Sequence, residues 1–286
     1  TQSTGSSVDV VYSQATDLPG AIVPGESAYP DVANSSPRNL VTSITVNDGR
    51  GASYQRSYGY YKGKYHAGLP GEVQNLYFES VTESDPGSGI KTVTYYEQED
   101  PWLAGNPLLS ETSTNSGQML KRDEYTYNAN TVTQFAGTHA ARVKSQVSTT
   151  YVSGSAAFSQ SKTYTYDAYG NNTTVVDHSD GTPDIQTAIS YDINEQDWIL
   201  NRPVEVIKTS GGAMIEGGRY AYTGNKLTGM SAYLNTDGSW VSTSFKSDDC
   251  GNIISKTDPA GHTTTIEYDS DYNSFIAEVT NPLGHR

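Results

Sequence analysis

Lys162-Thr-Tyr-Thr-Tyr-Asp-Ala-Tyr-Gly-Asn-Asn-Thr-Thr-Val-Val-Asp177 is the stretch from which the rest of the chain can be read. Tyr164 and Tyr166 alternate with Thr163 and Thr165, which places the rings on one face of an extended strand and the hydroxyls on the other. Asp167-Ala-Tyr-Gly-Asn171 supplies turn chemistry: an Asp carboxylate caps nearby amides, and Gly and Asn tolerate positive φ. Asn172 to Val176 then resumes a β-type run. A strand, a short turn and a returning strand make a hairpin.

The same phrase recurs in weaker copies. Tyr125-Thr-Tyr127-Asn128 repeats the strand end, and Tyr220-Ala-Tyr222-Thr-Gly224-Asn225 repeats it with its Gly-Asn turn. Tyr191-Asp192 carries the dipeptide alone, Phe245 opens a stretched version ending in Gly251-Asn252, and Tyr268-Asp269 closes the last copy. The strand-end aromatics Tyr127, Tyr166, Tyr191, Tyr222, Phe245 and Tyr268 are spaced by 39, 25, 31, 23 and 23 residues. Spacings of roughly 20–50 residues mark a repeat architecture, in which each unit buries a face only against its neighbours.

Composition agrees. The chain of 286 residues has 22 Tyr but only 5 Phe, 3 Met and 3 Trp, a bias expected where rings are half-buried and hydroxyls stay wet. That suits a broad, thin sheet. Its net charge of −14 leaves no basic stripe for nucleic acid and no attraction to anionic membrane. Cys250 is the one cysteine, so an intrachain disulfide and a multi-Cys zinc site are excluded. No apolar run approaches the ~18 residues of a membrane span, and no signal segment opens the sequence. With no initiating Met and an abrupt end at Arg286, an excised piece is expected.

Taken in order, residues 1–37 read as an N-terminal arm around a strand candidate, Val8 to Tyr12. Pro19, Pro24, Pro30 and Pro37 follow, and Asp17 to Pro37 reads as an irregular linker. The sheet region is 38–286, with pre-repeat strands to residue 112 and degenerate repeats from 113. Leu40 to Val46, the Asn47-Asp-Gly-Arg-Gly51 turn and Ala52 to Tyr61 make a hairpin. Tyr65 to Gly71 reads as a loop. Strands follow at Leu76–Thr82, Ile90–Tyr96, Leu108–Thr112, Gln118–Tyr127, Thr131–Gln134, Arg142–Val152 and Ala156–Lys162. Beyond the central hairpin come Gln186–Tyr191, Pro203–Lys208, Arg219–Tyr222, Leu227–Leu234, Trp240–Phe245, Ile253–Thr257, Thr263–Tyr268 and Phe275–Thr280. With no long 3.6-residue periodicity, the class is all-β.

Two motifs resemble the Rhs/YD-repeat proteins: Tyr166-Asp167-x-x-Gly170-Asn171, and Asp258-Pro-Ala-Gly261-His262 leading through a Thr-rich strand to Tyr268-Asp269. Leu40-Val-Thr-Ser-Ile44, the Tyr-rich strand to Tyr61 and Leu76 to Asp85 are similar to the region before the repeats in the B components of insecticidal toxin complexes and their virulence-plasmid relatives. Asn281-Pro-Leu-Gly-His285 fits the same subgroup. The resemblance covers residues 38 to 286. It implies a large curved antiparallel sheet of hairpins, an arc of a hollow β-shell enclosing a toxic polypeptide, secreted or displayed on the cell surface. The implied partners are that enclosed polypeptide or other toxin-complex subunits. Open sheet edges are pairing hazards, so either self-association or cover by an arm such as residues 17–37 is expected. Tyr166, Asp167, Gly170, Asn171, Tyr191, Asp192, Tyr222, Gly224, Asn225, Gly251, Asn252, Asp258, Gly261, Tyr268 and Asp269 are the repeat-forming positions. The copies depart from the pattern at Ile193-Asn194-Glu195, at two apparent extra residues before Gly251, and at Tyr272.

Nothing in the residues points to catalysis. Asp269-Ser-Asp271-Tyr-Asn273 imitates a calcium loop, but Ser274 and Thr280 stand where Gly and a bidentate Glu are needed. Asp177 to Gly181 and Ser247-Asp248-Asp249 read as turns. His66, His139, His178, His262 and His285 lack zinc spacing, and no nucleophile elbow or phosphate loop is present. Cys250, in a turn, reads as inert. Carboxylate pairing for glycoside cleavage is spatial and stays open. Trp102, Trp198 or Trp240 on an exposed face would stack on sugars, against the simpler role of cross-strand packing. The expectation is a non-enzymatic structural segment without cofactor or metal; the alternative is an adhesive or glycan-binding sheet.

Overall fold

The alternating, Thr- and Tyr-rich runs form strands because β-branched and aromatic side chains fit a pleated surface, while Gly, Asn and Asp concentrate where the chain reverses. The structure, a computed structural model, describes residues 5–23, 29–33, 38–68, 73–131 and 139–286. Pro24, Pro37, Leu69 to Gly71 and Val132 to Gln134 lie outside them. Among the described residues there are nineteen strands, one 3-10 turn (Ala15–Asp17) and no α-helix; no helix is long and apolar enough to cross a membrane.

The chain divides into two units, residues 1–163 and 164–286. The first holds β1 (Ser7–Gln14), β2 (Asp31–Ala33), β3 (Asn39–Asn47), β4 (Ser53–Ala67), β5 (Val73–Asp85), β6 (Ile90–Tyr96), β7 (Pro107–Thr114), β8 (Met119–Thr131) and β9 (His139–Val152). β10 (Ser155–Tyr166) begins in this unit. From β3 to β10 each strand pairs antiparallel with the next, and β1 and β2 add antiparallel to β3 and β4. The second unit continues with β11 (Asn172–Ser179), β12 (Ile185–Asn194), β13 (Ile199–Ser210), β14 (Ala213–Thr223), β15 (Lys226–Leu234), β16 (Ser239–Ser247), β17 (Ile253–Thr257), β18 (Thr263–Tyr268) and β19 (Ile276–Thr280). β11 to β19 pair antiparallel in chain order. The all-β, hairpin-by-hairpin class read from the sequence is the observed one.

Three local readings are corrected. Tyr65, His66 and Ala67 are not loop but the end of β4, held between β2 and β5. Asp177 to Ser179 are strand, and only Asp180-Gly181 turns. The Pro-rich arm is partly regular: β2 pairs with Lys64 to His66, and the Gly20 and Ala21 carbonyls accept the Lys62 and Gly63 amides at 2.8 Å each. Backbone amides at an edge need partners, and β4 outruns β3, so the arm supplies them. His66 Nδ1 lies 2.7 Å from Asp31 at the same seam.

Burial is sparse. Among the described residues the buried apolar side chains are Ala15, Ala21 and Leu76, and the buried polar ones Ser80 and Gln98. All belong to the first unit, where the arm, β4, β5 and the loop between β6 and β7 meet. Across β6 to β9 neither face is apolar. The registers align Thr92, Thr112, Lys121 and Thr150 in one row across β6 to β9, and Val93, Glu111, Arg122 and Thr149 in the adjacent row. Successive residues point to opposite faces, so hydroxyls and charges stand on both.

Candidate functional site: aspartate loops and tyrosine latches

Asp167 closes a five-residue loop. Its Oδ1 accepts the amides of Tyr169, Gly170 and Asn171 at 2.9, 2.7 and 2.9 Å. The Asp167 amide donates to the Asn171 carbonyl and the Gly170 amide to the Asp167 carbonyl. Gly170 adopts φ 93°, a conformation that costs a side chain strain. Asp248 to Asn252 repeats this with Gly251 at φ 94°. Asp258 to His262 repeats it with Gly261 at φ 86°, and Asn281 to His285 with Gly284 at φ 78°. The first unit has two more: Asp48 to Ala52, and Thr114 to Gln118, where a threonine hydroxyl replaces the carboxylate.

This geometry realigns one copy. Asp248 occupies the Asp167 position, so Ser247, not Phe245, stands where Tyr166 does, and no residues are inserted before Gly251. The long copy is instead the one at Asp269. There the carboxylate caps Tyr272, Ser274 and Phe275 at 2.7, 2.9 and 2.7 Å, and Asn273 takes φ 50° in place of the glycine. The Phe275, Ser274 and Tyr272 amides hold the Asp269 carboxyl down at about 2. Both oxygens thus accept backbone amides. Among the described residues no cluster of three or more metal-binding side chains occurs. Asp192 takes another course and pairs with Arg202, whose other arm donates to the Gly224 carbonyl at 2.6 Å. Gly224-Asn225 is a two-residue hairpin loop between the Thr223–Lys226 pair.

The loops also fasten one repeat to the next. Asn171 Nδ2 donates to Asp167 at 2.8 Å and to the Leu200 carbonyl at 2.6 Å. Asn252 Nδ2 does the same with Asp248 (3.0 Å) and the Asn273 carbonyl (2.7 Å), and Asn273 returns a bond to Asp248 at 2.8 Å. That returned bond, first among several, holds the Asp248 carboxyl below its ordinary range. The Asn of the motif is therefore a strap between hairpins as well as a turn residue.

The tyrosine has an equivalent task that the sequence did not show. Tyr191 donates its hydroxyl to the Asn172 carbonyl at 3.0 Å, and Tyr268 to the Ile253 carbonyl at 3.3 Å; each carbonyl directly follows a Gly-Asn loop. Tyr127 donates to Pro107 and Tyr60 to Val41, both at 2.8 Å. These hydroxyls are not left to water: each latches the carbonyl of an adjacent strand. The only sequence signal was the preference for Tyr over Phe. Burial, with a smaller contribution from Tyr125, pushes the Tyr127 phenol up to about 12. Its neutral form is favoured by folding, so this contribution is complete below the unfolded value of 10 and is lost as pH rises from 10 to about 12. Tyr127→Phe should lower stability at neutral pH by about 1–3 kcal/mol, because the Pro107 carbonyl loses its partner. It should also flatten the decline between pH 10 and 12; both are read from urea unfolding across pH.

The tryptophans differ in exposure. Trp240 is engaged: Arg219 lies 4.0 Å above its ring and Tyr233 packs at 5.6 Å. Glu205 holds that guanidinium at 2.8 Å. Of the two roles open to Trp240, packing is the one observed, and the sugar-stacking alternative is corrected for this residue. Trp102 and Trp198 are 57% and 69% exposed. Cys250 is exposed in the Asp248 loop. Gln98 was also missed. Its Nε2 donates to the Lys62 and Tyr77 carbonyls, each at 3.0 Å, where both residues take positive φ (48° and 62°).

No family model matches the chain, and no curated protein matches it in sequence. Solved structures do. The crystal structure of TcdB2-TccC3 without its hypervariable C-terminal region superposes with a TM-score of 0.61 at 12% identity, over 98% of this chain and 23% of that one. TcdB2-TccC3-Cdc42 gives 0.36 at 14% identity, over 86% of this chain and 13% of that one. A porin-like protein from Bacteroides uniformis gives 0.34 at 10% identity, over 94% and 92%. Of these three, the first superposes closely enough to compare folds, and this chain shares the fold of about a quarter of it.

Proposed function

We propose that this chain is a non-enzymatic wall segment of an Rhs/YD-type toxin shell, secreted or displayed at the bacterial surface, whose sheet surrounds a toxic polypeptide. The observation that carries the reading is a sheet fastened from strand to strand that, among the described residues, buries only Ala15, Ala21 and Leu76 as apolar side chains. Side-chain straps and latches run between hairpins, and Ser/Thr pairs cross the strands at Thr92–Thr112, Thr126–Ser145, Ser231–Ser242 and Thr257–Thr263, 2.7 to 3.1 Å apart. A sheet that packs on another layer shows alternation with one hydrophobic face; a wall with water or a loosely held chain on both sides has no use for one. The likeness to TcdB2-TccC3 supports the same reading. Its partners would be the enclosed polypeptide and other subunits of a toxin complex. Cryo-electron microscopy of the intact protein tests it: these strands should border an enclosed volume containing polypeptide density. A second protein layer packed face to face on the sheet would overturn it.

A second reading is favoured by one observation, the exposure of Trp102 and Trp198 on loops. As a glycan- or protein-binding sheet, the chain would bind a glycan array, and Trp198→Ala or Trp102→Ala would abolish the signal.

A further inference from the structure

Strand β1 leaves one edge unpaired among the described residues, since its ladder runs to β3 alone. Proteins protect such edges with brevity, proline, charge or strong bulging. β1 has eight residues, Ser-Val-Asp-Val-Val-Tyr-Ser-Gln, with no proline and one charge. That charge is turned into its own sheet: Asn47 Nδ2 donates to Asp9 at 3.1 Å and to Ser7 at 3.0 Å. Val8, Val10, Val11 and Tyr12 are all exposed. Behind the edge, the pairing Val8–Val46–Tyr54 makes an exposed apolar row three strands deep.

We infer that β1 is a homotypic interface: the β1 edge of a second copy pairs with it antiparallel about a two-fold axis at Val10. In that register Val10 faces Val10 of the other copy, Val8 faces Tyr12, and Asp9 faces Val11, so no like charges stand opposite. The apolar row then continues through Tyr12 to Val41, its partner on β3. β-branched and aromatic pairs of this kind are favourable across strands. The last strand, β19, which pairs with β18 alone among the described residues, fits a copy of itself less well. It has five residues, and Glu278 at its centre would face itself in the fully paired register. A self-complementary patch closes at two copies instead of growing. A single edge buries less than the ~1,000 Å² of a durable interface, so the dimer is weak and concentration-dependent. Each copy carries −14, so added salt strengthens it. The inference is independent of the wall reading.

Sedimentation velocity of the whole chain over a wide concentration range, at low and high salt, tests it together with cysteine cross-linking in a Cys250→Ser background. The expected result is a monomer–dimer equilibrium that salt favours and that Val10→Lys abolishes, while Ala277→Lys on β19 leaves it intact. Val10→Cys should form disulfide-linked dimers under mild oxidation. Val8→Cys alone should not, but should cross-link when mixed with Tyr12→Cys. A monomer at every concentration, a dimer insensitive to Val10→Lys, growth beyond two copies, or cross-linking of Val8→Cys to itself would each overturn the proposal. If Val10→Lys unfolds the first unit, seen as loss of far-ultraviolet β signal, the cysteine pattern decides alone.

Discussion

Leu76→Ala should lower the unfolding free energy by about 2–5 kcal/mol, the range for truncating a fully buried leucine into a cavity. Leu76 has no exposed surface, and its fellow buried apolar residues are the small Ala15 and Ala21. There is little else for the first unit to collapse around. The arm depends on the same spot, because the Gly20 and Ala21 carbonyls hold the β4 edge there and Gln98 caps the Lys62 and Tyr77 carbonyls beside it. Urea unfolding should show a lowered midpoint, and proteolysis should release the arm before the sheet unfolds. Leu76→Met conserves volume and should cost less than about 1.5 kcal/mol. If Leu76→Ala costs no more than an average surface substitution, the cluster is not what anchors this unit.

Gly217→Val should cost about 1–3 kcal/mol by overpacking in the second unit. Gly217 is buried, and a Cβ built there would stand 2.7 Å from Trp240 Cη2, 3.1 Å from Tyr233 Cβ and 3.3 Å from Ile207 Cδ1. The indole is pinned from above by Arg219, so it cannot lift without breaking that stack and disturbing the contact to Glu205. Tryptophan emission should shift to the red as Trp240 is pushed toward water. Gly218→Val is the control. A Cβ there would stand 3.2 Å from the Tyr220 hydroxyl and 3.6 Å from two of its ring carbons, with no contact as short as the one to Trp240. Equal losses from the two substitutions would mean that glycine's backbone freedom matters at this place, not the room it leaves for Trp240.

Much of the fold was legible because its contacts are local. β6, β17 and β18 begin and end where alternation placed them, and the Asp167 loop closes within five residues through bonds its own sequence encodes. Errors came where a distant segment decides. Tyr65 to Ala67 read as loop because the pattern lapses there, but β2 arrives from about thirty residues upstream to pair with them. The Phe245 copy was misaligned because aromatic spacing was followed; the hydrogen bonds follow the Asp and Gly positions, and Ser247 can stand at the tyrosine position. For Trp240 the sequence offered both cross-strand packing and sugar stacking; packing is what occurs, with Arg219 reaching it from a strand two ladders away.

The sequence by itself determined the strand periodicity, most of the places where the chain turns, and the all-β class, since each depends on residues a few positions apart. Only the tertiary structure decided what the repeated side chains hold: that Asn171 and Asn252 strap neighbouring hairpins, that tyrosine hydroxyls latch strand-end carbonyls, and that the arm covers β4. Those pairings join residues 15 to 42 positions apart, and which carbonyl a side chain meets depends on strand register and bulges, which composition and spacing do not encode.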